Sequence, residues 1–127
     1  AALGDALATT LSITRAAFDT SSVAGFVCDE DGNNILVNDA FAELAGVDRA
    51  DLMQQRWQGV VHPLDLARHR ELFAAAKVGH YEFTDEYTLM PRGKPHARVR
   101  VHLRPHPPDI GPASRWVGTV MLLAAHE

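Results

Sequence analysis

The chain has 127 residues, 46% of them hydrophobic and 22% charged, which supplies one packed core and argues against disorder or two independent domains. A formal net charge of -4 argues against general attraction to nucleic acid or anionic membrane. Apolar runs such as Val117 to Ala125 fall far short of the roughly 20 residues a membrane-crossing helix needs.

Cys28 is the single cysteine and cannot form an internal disulfide. The amino terminus has no basic region before its apolar residues and no cleavage pattern. A reducing, cytoplasmic setting is therefore expected, for the chain alone or as the cytoplasmic part of a membrane-anchored receptor. Arginine outnumbers lysine and alanine is abundant, which is compatible with a GC-rich bacterial genome.

In chain order, Leu3, Leu7 and Leu11, continued by Thr14 and Phe18, form one apolar stripe and predict an amphipathic helix over residues 2–18. Asp19 to Ser22 end it. Gly25 to Glu30 and Asn34 to Asn38 read as two strands of a hairpin around Asp31-Gly32-Asn33. A helix follows with Phe41, Leu44 and Ala45 on one side and Gly46 as its stop. Asp48 is expected to cap a short helix from Arg49 to about Gln54. Pro63 and Asp65 then introduce a longer helix to about Lys77, with Asp65 as cap, Gly79 as exit and Leu66, His69, Phe73 and Ala76 on its apolar face.

From Tyr81 to Leu89, apolar Tyr81, Phe83, Tyr87 and Leu89 alternate with Glu82, Thr84, Glu86 and Thr88, the period of a half-buried strand. After the turn Pro91 to Lys94, Ala97, Val99, Val101 and Leu103 alternate with Arg98, Arg100, His102 and Arg104 in the same way. Pairing the two sets acidic against basic side chains. Pro105, Pro107, Pro108 and Pro112 mark a loop, and Trp116 to Ala125 form the last strand. The sum is an α+β domain on a five-stranded antiparallel sheet.

Three stretches carry a family resemblance. Gly25 to Gly46 runs strand, Asp-Gly turn, strand, then Asn-x-Ala-Phe and a glycine-terminated helix. Trp57 with Val61-His-Pro-Leu-Asp65 follows, and then Glu86-Tyr-Thr-Leu before a glycine-containing turn. In order and spacing the chain resembles a PAS domain, the sensory and dimerisation module of signalling proteins, over residues 19–123. The resemblance implies a PAS domain over residues 19–127 with helices on one sheet face, preceded by a flanking amphipathic helix over residues 1–18. It also implies an enclosed pocket that holds a small ligand or nothing. Phe26, Phe41, Leu44, Trp57, Leu66, His69, Phe73, Tyr87 and Val101 are the candidate pocket or core residues.

In that family the flanking helix packs on the outer sheet face or against a second copy, which makes Leu3, Leu7, Leu11 and Phe18 the candidate dimer interface. A homodimer joined to an output domain of the same protein is the expected assembly, with a non-enzymatic, sensory role. One departure stands out: many PAS domains end in an Asp-Ile-Thr type motif, and here Leu122 stands where the acidic residue is expected. Output through the amino-terminal helix is the alternative.

Several chemical readings compete with simple packing. The cysteine-containing Asn-Cys-Arg-Phe-Leu-Gln type helix of the light-sensing branch is missing, and Cys28 fits a small buried hydrophobe. The cofactor is therefore left unknown. Haem through His69 ranks behind a core histidine with one hydrogen bond, and a pH or anion sensor at His69 is a third reading. His80 reads as a surface residue. His96, His102 and His106 share a strand face with arginines, an arrangement poorly suited to tetrahedral zinc, so no metal is expected. That basic face is matched by neighbouring glutamates, so no nucleic-acid partner is expected. His62 with Asp65 is explained by capping, and no nucleophile, nucleotide-loop or paired-carboxylate motif stands out. An enzyme on a fold resembling ketosteroid isomerases would need a buried carboxylate facing the pocket, for which Asp85 is the candidate.

Overall fold

The computed structural model describes residues 17–106 and 115–125. After a helical turn at residues 17–20, a hairpin of β1 (Ala24–Asp29) and β2 (Asn34–Val37) leads into α1 (Asp39–Ala45). Two short 3-10 helices, Arg49–Leu52 and Arg56–Val60, precede the long helix α2 (Pro63–Gly79). Strands β3 (Phe83–Leu89), β4 (Ala97–His106) and β5 (Arg115–Ala125) complete the order. The sheet runs β2-β1-β5-β4-β3, and every neighbouring pair is antiparallel. The last strand is thus the central one, and the helical crossover from β2 to β3 covers one face. The expected α+β, PAS-like architecture is the one observed.

The alternation of β3 and β4 becomes two chemically distinct faces. Tyr87 lies opposite Val99, Asp85 opposite Val101 and Phe83 opposite Leu103 on the inner face. Outside, Arg100 meets Glu86 at 3.2 Å and His102 meets Glu82 at 3.2 Å. Exposed pairs of this kind contribute at most about 1 kcal/mol each, so burial of the inner row is the larger contribution to stability.

Asn38 joins the start of the crossover to β1 and the segment before it. It is buried, and its Oδ1 accepts from Gly25 N and Phe41 N, each at 3.0 Å, which caps α1 and holds β1. Its Nδ2 donates to the Val23 carbonyl at 2.7 Å and the Phe18 carbonyl at 3.2 Å. Gly46 closes α1 at φ 68, a left-handed conformation that glycine adopts without cost.

Five local expectations are corrected. Asp48 makes no side-chain cap bond, and the turn it precedes is a 3-10 helix ending at Leu52. His62, not Asp65, caps α2, its ring nitrogen accepting from Leu64 N with Pro63 at the helix start. Asp65 is drawn away to Thr88 N at 2.8 Å and Arg98 at 3.1 Å. Tyr81 is exposed and lies before β3. Continued pairing would set it against Pro105, which has no N–H to donate. Pro105, expected in the loop, lies in β4 opposite Trp116. The helix expected over residues 2–18, with Leu3, Leu7 and Leu11, lies outside the described residues except at its end, as do Pro107, Pro108 and Pro112.

Gly118 on β5 pairs with Phe26 on β1, and the phenyl ring lies across it. A Cβ at Gly118 would come within 2.2 Å of the Phe26 ring. Gly118→Ala is therefore expected to lower stability by about 1 to 3 kcal/mol through overpacking, read by urea unfolding; an unchanged midpoint would contradict this packing.

Candidate functional site

Consecutive residues of a helix point about 100° apart, and α2 uses this at Arg68 and His69. His69 turns into the core, 4% exposed, while Arg68 stays at the rim. Both reach Asp85, which the alternation of β3 turns inward and which is 8% exposed. His69 Nδ1 donates to Asp85 Oδ2 at 3.1 Å, and Arg68 Nε and Glu86 N donate to Oδ1 at 3.2 and 2.8 Å. Burial pushes the Asp85 carboxyl up, but the bonds from His69, Arg68 and Glu86 N and the guanidinium charge outweigh it and hold the group below the usual carboxylate value.

The imidazole is boxed by aromatic rings. Tyr87 stands edge-on at 5.4 Å between centroids and Trp57 at 5.9 Å, with Phe83 at 5.9 Å and Phe73 at 6.5 Å. Trp57 is itself anchored, donating from Nε1 to the Gly32 carbonyl at 2.9 Å.

Beside this box lies an interior cavity of about 20 Å³, bordered by Phe26, Phe41, Trp57, His69, Phe73 and Tyr87 and, on the strand side, by Cys28, Asn34 and Leu103. That is room for about one water molecule. On the other side of Asp85 the contacts run outward. Arg68 donates to Asp65 Oδ1 at 3.0 Å and to the Glu86 carbonyl, and Arg98 joins Asp65 Oδ2 at 3.1 Å. A continuous chain of charged contacts links the cavity wall to the outer face of β4.

This fold agrees with the sequence comparison, in which a family model of the PAS fold matches residues 34–120, most of the chain. The chain is a PAS domain. It is similar to the PAS domain of an HTR-like protein from Haloarcula marismortui, with 20% identity over 94% of this chain and 97% of that one and a TM-score of 0.76. It is also similar to a PAS domain from a two-component sensor histidine kinase, with 15% identity over 91% and 97% of the two chains and a TM-score of 0.73. An RNA-binding Light-Oxygen-Voltage receptor matches with 19% identity and a TM-score of 0.76, over 91% of this chain and 33% of the receptor. A search of curated proteins gives no match.

Of the candidate pocket residues of this PAS domain, Phe26, Phe41, Trp57, His69, Phe73 and Tyr87 border the cavity. Leu44, Leu66 and Val101 do not. Leu44 and Leu66 are partly buried against the core, and Val101 is buried opposite Asp85. Phe18, a candidate interface residue, is half-buried and packs toward Gly25 within the chain. Cys28 and Asn34 on the cavity wall, and Arg68 and Phe83 around the pair, were not assigned a site role from the sequence. Arg68 was legible in principle, because it precedes a core-facing histidine and Asp85 had been placed inward.

The chemical readings can be tested against these residues. His69 has the carboxylate partner that a metal-bound imidazole commonly has, but the 20 Å³ space is far below the roughly 300 Å³ of ordinary cofactor sites, so a haem or flavin does not fit this interior. Burial pushes the Cys28 thiol up to about 12, which keeps it protonated and unreactive. Asp85, the candidate base of the enzyme reading, is bonded to His69 and Arg68 and does not border the cavity. Among the described residues no group of three or more His, Cys, Asp or Glu is placed to hold a metal. His80 is exposed, and His96 precedes β4.

The sign of the acid response follows from Asp85. Its folded-state pKa is lowered, so its contribution is fully present above the unfolded value of about 3.9 and is lost as pH falls through the folded value. Asp85→Asn is expected to cost about 3 kcal/mol at pH 7 by leaving Arg68 and His69 without their shared charge. Its stability falls less steeply than that of the native chain as pH drops below about 5. Urea unfolding at both ends of that range checks it; equal stability and an equal acid slope would contradict the pairing.

Proposed function

We propose that this PAS domain is a sensory module of a larger regulatory protein, such as a histidine kinase, a cyclic-dinucleotide enzyme or a transcription regulator. It senses a small ligand, mediates homodimerisation, or does both. PAS domains are typically sensory and non-enzymatic, and the match to a sensor-kinase PAS domain supports that class. The observation that carries the reading is the buried His69–Asp85 pair at 3.1 Å, with the cavity on one side and rim-exposed Arg68 on the other.

The mechanism is a population shift. A molecule entering the cavity alters the packing of the His69 ring, and with it the Asp85 contacts that hold α2 to β3 and β4, favouring one arrangement of helix and sheet. Signal exit through the amino-terminal side is supported by Asn38, which bonds both the Phe18 carbonyl and the start of α1. Leu3, Leu7, Leu11 and Phe18 then supply the dimer contact. The setting is cytoplasmic in this reading, and no helix among the described residues is long and apolar enough to cross a membrane.

A second reading is a ligand-free dimerisation or docking module. The nearly filled interior favours it, and so does the exposure of Val23, Met121, Leu122 and Leu123. Native mass spectrometry of the freshly purified domain separates the two. A dimer with added mass supports ligand sensing, a bare dimer supports docking, and a bare monomer contradicts both.

A further inference from the structure

We propose that the interior cavity is a binding site for one small neutral hydrogen-bond donor, held between Nε2 of His69 and the hydroxyl of Tyr87, with a single water as its resting occupant. The proposal deepens the sensory reading of the same cavity and rests on that reading for its signalling consequence.

The polarity of the site follows from the Asp85 bond. An ionised carboxylate can only accept hydrogen bonds, so Nδ1 of His69 carries the proton in its 3.1 Å contact with Asp85 Oδ2. In the neutral imidazole the lone pair is then on Nε2. The ring borders the cavity, and no described residue bonds Nε2. In that neutral form the ring presents an acceptor at Nε2.

Tyr87 supplies the second group. Its side chain is 2% exposed, and its hydroxyl makes no hydrogen bond to a described residue. Burial raises its pKa above the ordinary phenol value, so it stays an O–H that can donate or accept. Among the described residues no buried polar side-chain atom is sealed away without a partner. The hydroxyl and Nε2 are thus not sealed off, and both side chains border the void, where an occupant can satisfy both.

The remaining wall sets the ligand class. Phe26, Phe41, Phe73 and Leu103 are apolar, Asn34 Nδ2 is spent on the Leu52 carbonyl at 2.8 Å, and the Cys28 thiol is neutral. An anionic ligand would face the Asp85 charge behind the imidazole. A carbonyl compound without a donor would leave Nε2 unsatisfied. Water fits the 20 Å³ volume and has both a donor and an acceptor. The hydroxyl of a small alcohol has the same chemistry and would take the same position as the walls give way.

The test uses the full chain. A crystal structure is expected to show one molecule within about 3.2 Å of both His69 Nε2 and Tyr87 Oη, and nitrogen-15 side-chain spectra to show the Nδ1–H tautomer. Methanol is expected to shift the Nε2 resonance, whereas acetone, of similar size without a donor, leaves it in place. Tyr87→Phe weakens the methanol response about fivefold, the loss of one hydrogen bond. A dry cavity, the Nε2–H tautomer, or an acetone response equal to that of methanol would overturn the site; the first two are read on the native chain and need no variant. A bare monomer with a hydrated cavity sinks the sensory reading and keeps the site, while a dimer with a dry cavity overturns the site and leaves the docking reading standing.

Discussion

A carboxylate in a protein interior has to be neutralised and hydrogen-bonded, or it unfolds the region around it. Asp85 imposes that constraint here. Its place in the inner row of β3, between Phe83 and Tyr87, leaves it only 8% exposed, and α2 brings His69 and Arg68 to it. Through those contacts Asp85 ties α2 to β3 and holds the imidazole by Nδ1 within its aromatic box.

The sheet order places the pair well for a sensor. Because β5 lies between β1 and β4, the two hairpin-like halves meet through the final strand, and the crossover helices bridge them over the inner face. Asn38 fastens one half to the amino-terminal side of the domain, and Asp85 fastens the other to α2. A change at the cavity, which touches β1 through Phe26 and Cys28 and α2 through His69 and Phe73, acts on both halves together.

Much of this was legible in the sequence. The rows Ala97-Val99-Val101-Leu103 and Phe83-Asp85-Tyr87-Leu89 are readable because one sheet face is packed and the other solvated, so period two survives intact. Asn38 and Gly46 mark α1 by local capping chemistry. What failed depended on distant partners. Asp65 has the local look of a cap, but Thr88 and Arg98, far along the chain, claim its oxygens. Tyr81 keeps the strand rhythm, yet its partner would have been a proline. Choosing among buried residues was equally nonlocal: Val101 is as apolar and inward as Leu103, but only Leu103 borders the void. Periodicity and turn residues supplied the strand count and order of elements, and the resemblance to a known family supplied the expectation of an enclosed pocket.

A double-mutant cycle in urea unfolding at pH 7 measures how strongly Asp85 couples the buried imidazole to the surface guanidinium. Arg68→Met and His69→Leu would be measured singly and together, in the native chain and in Asp85→Asn. The double variant, which strips the buried carboxylate of both partners, is expected to lose more stability than the two single variants added, by well over the 0.5 kcal/mol or so that marks independence. The excess is expected to disappear in Asp85→Asn. Additive losses in the native chain, or an excess that survives Asp85→Asn, would contradict that coupling.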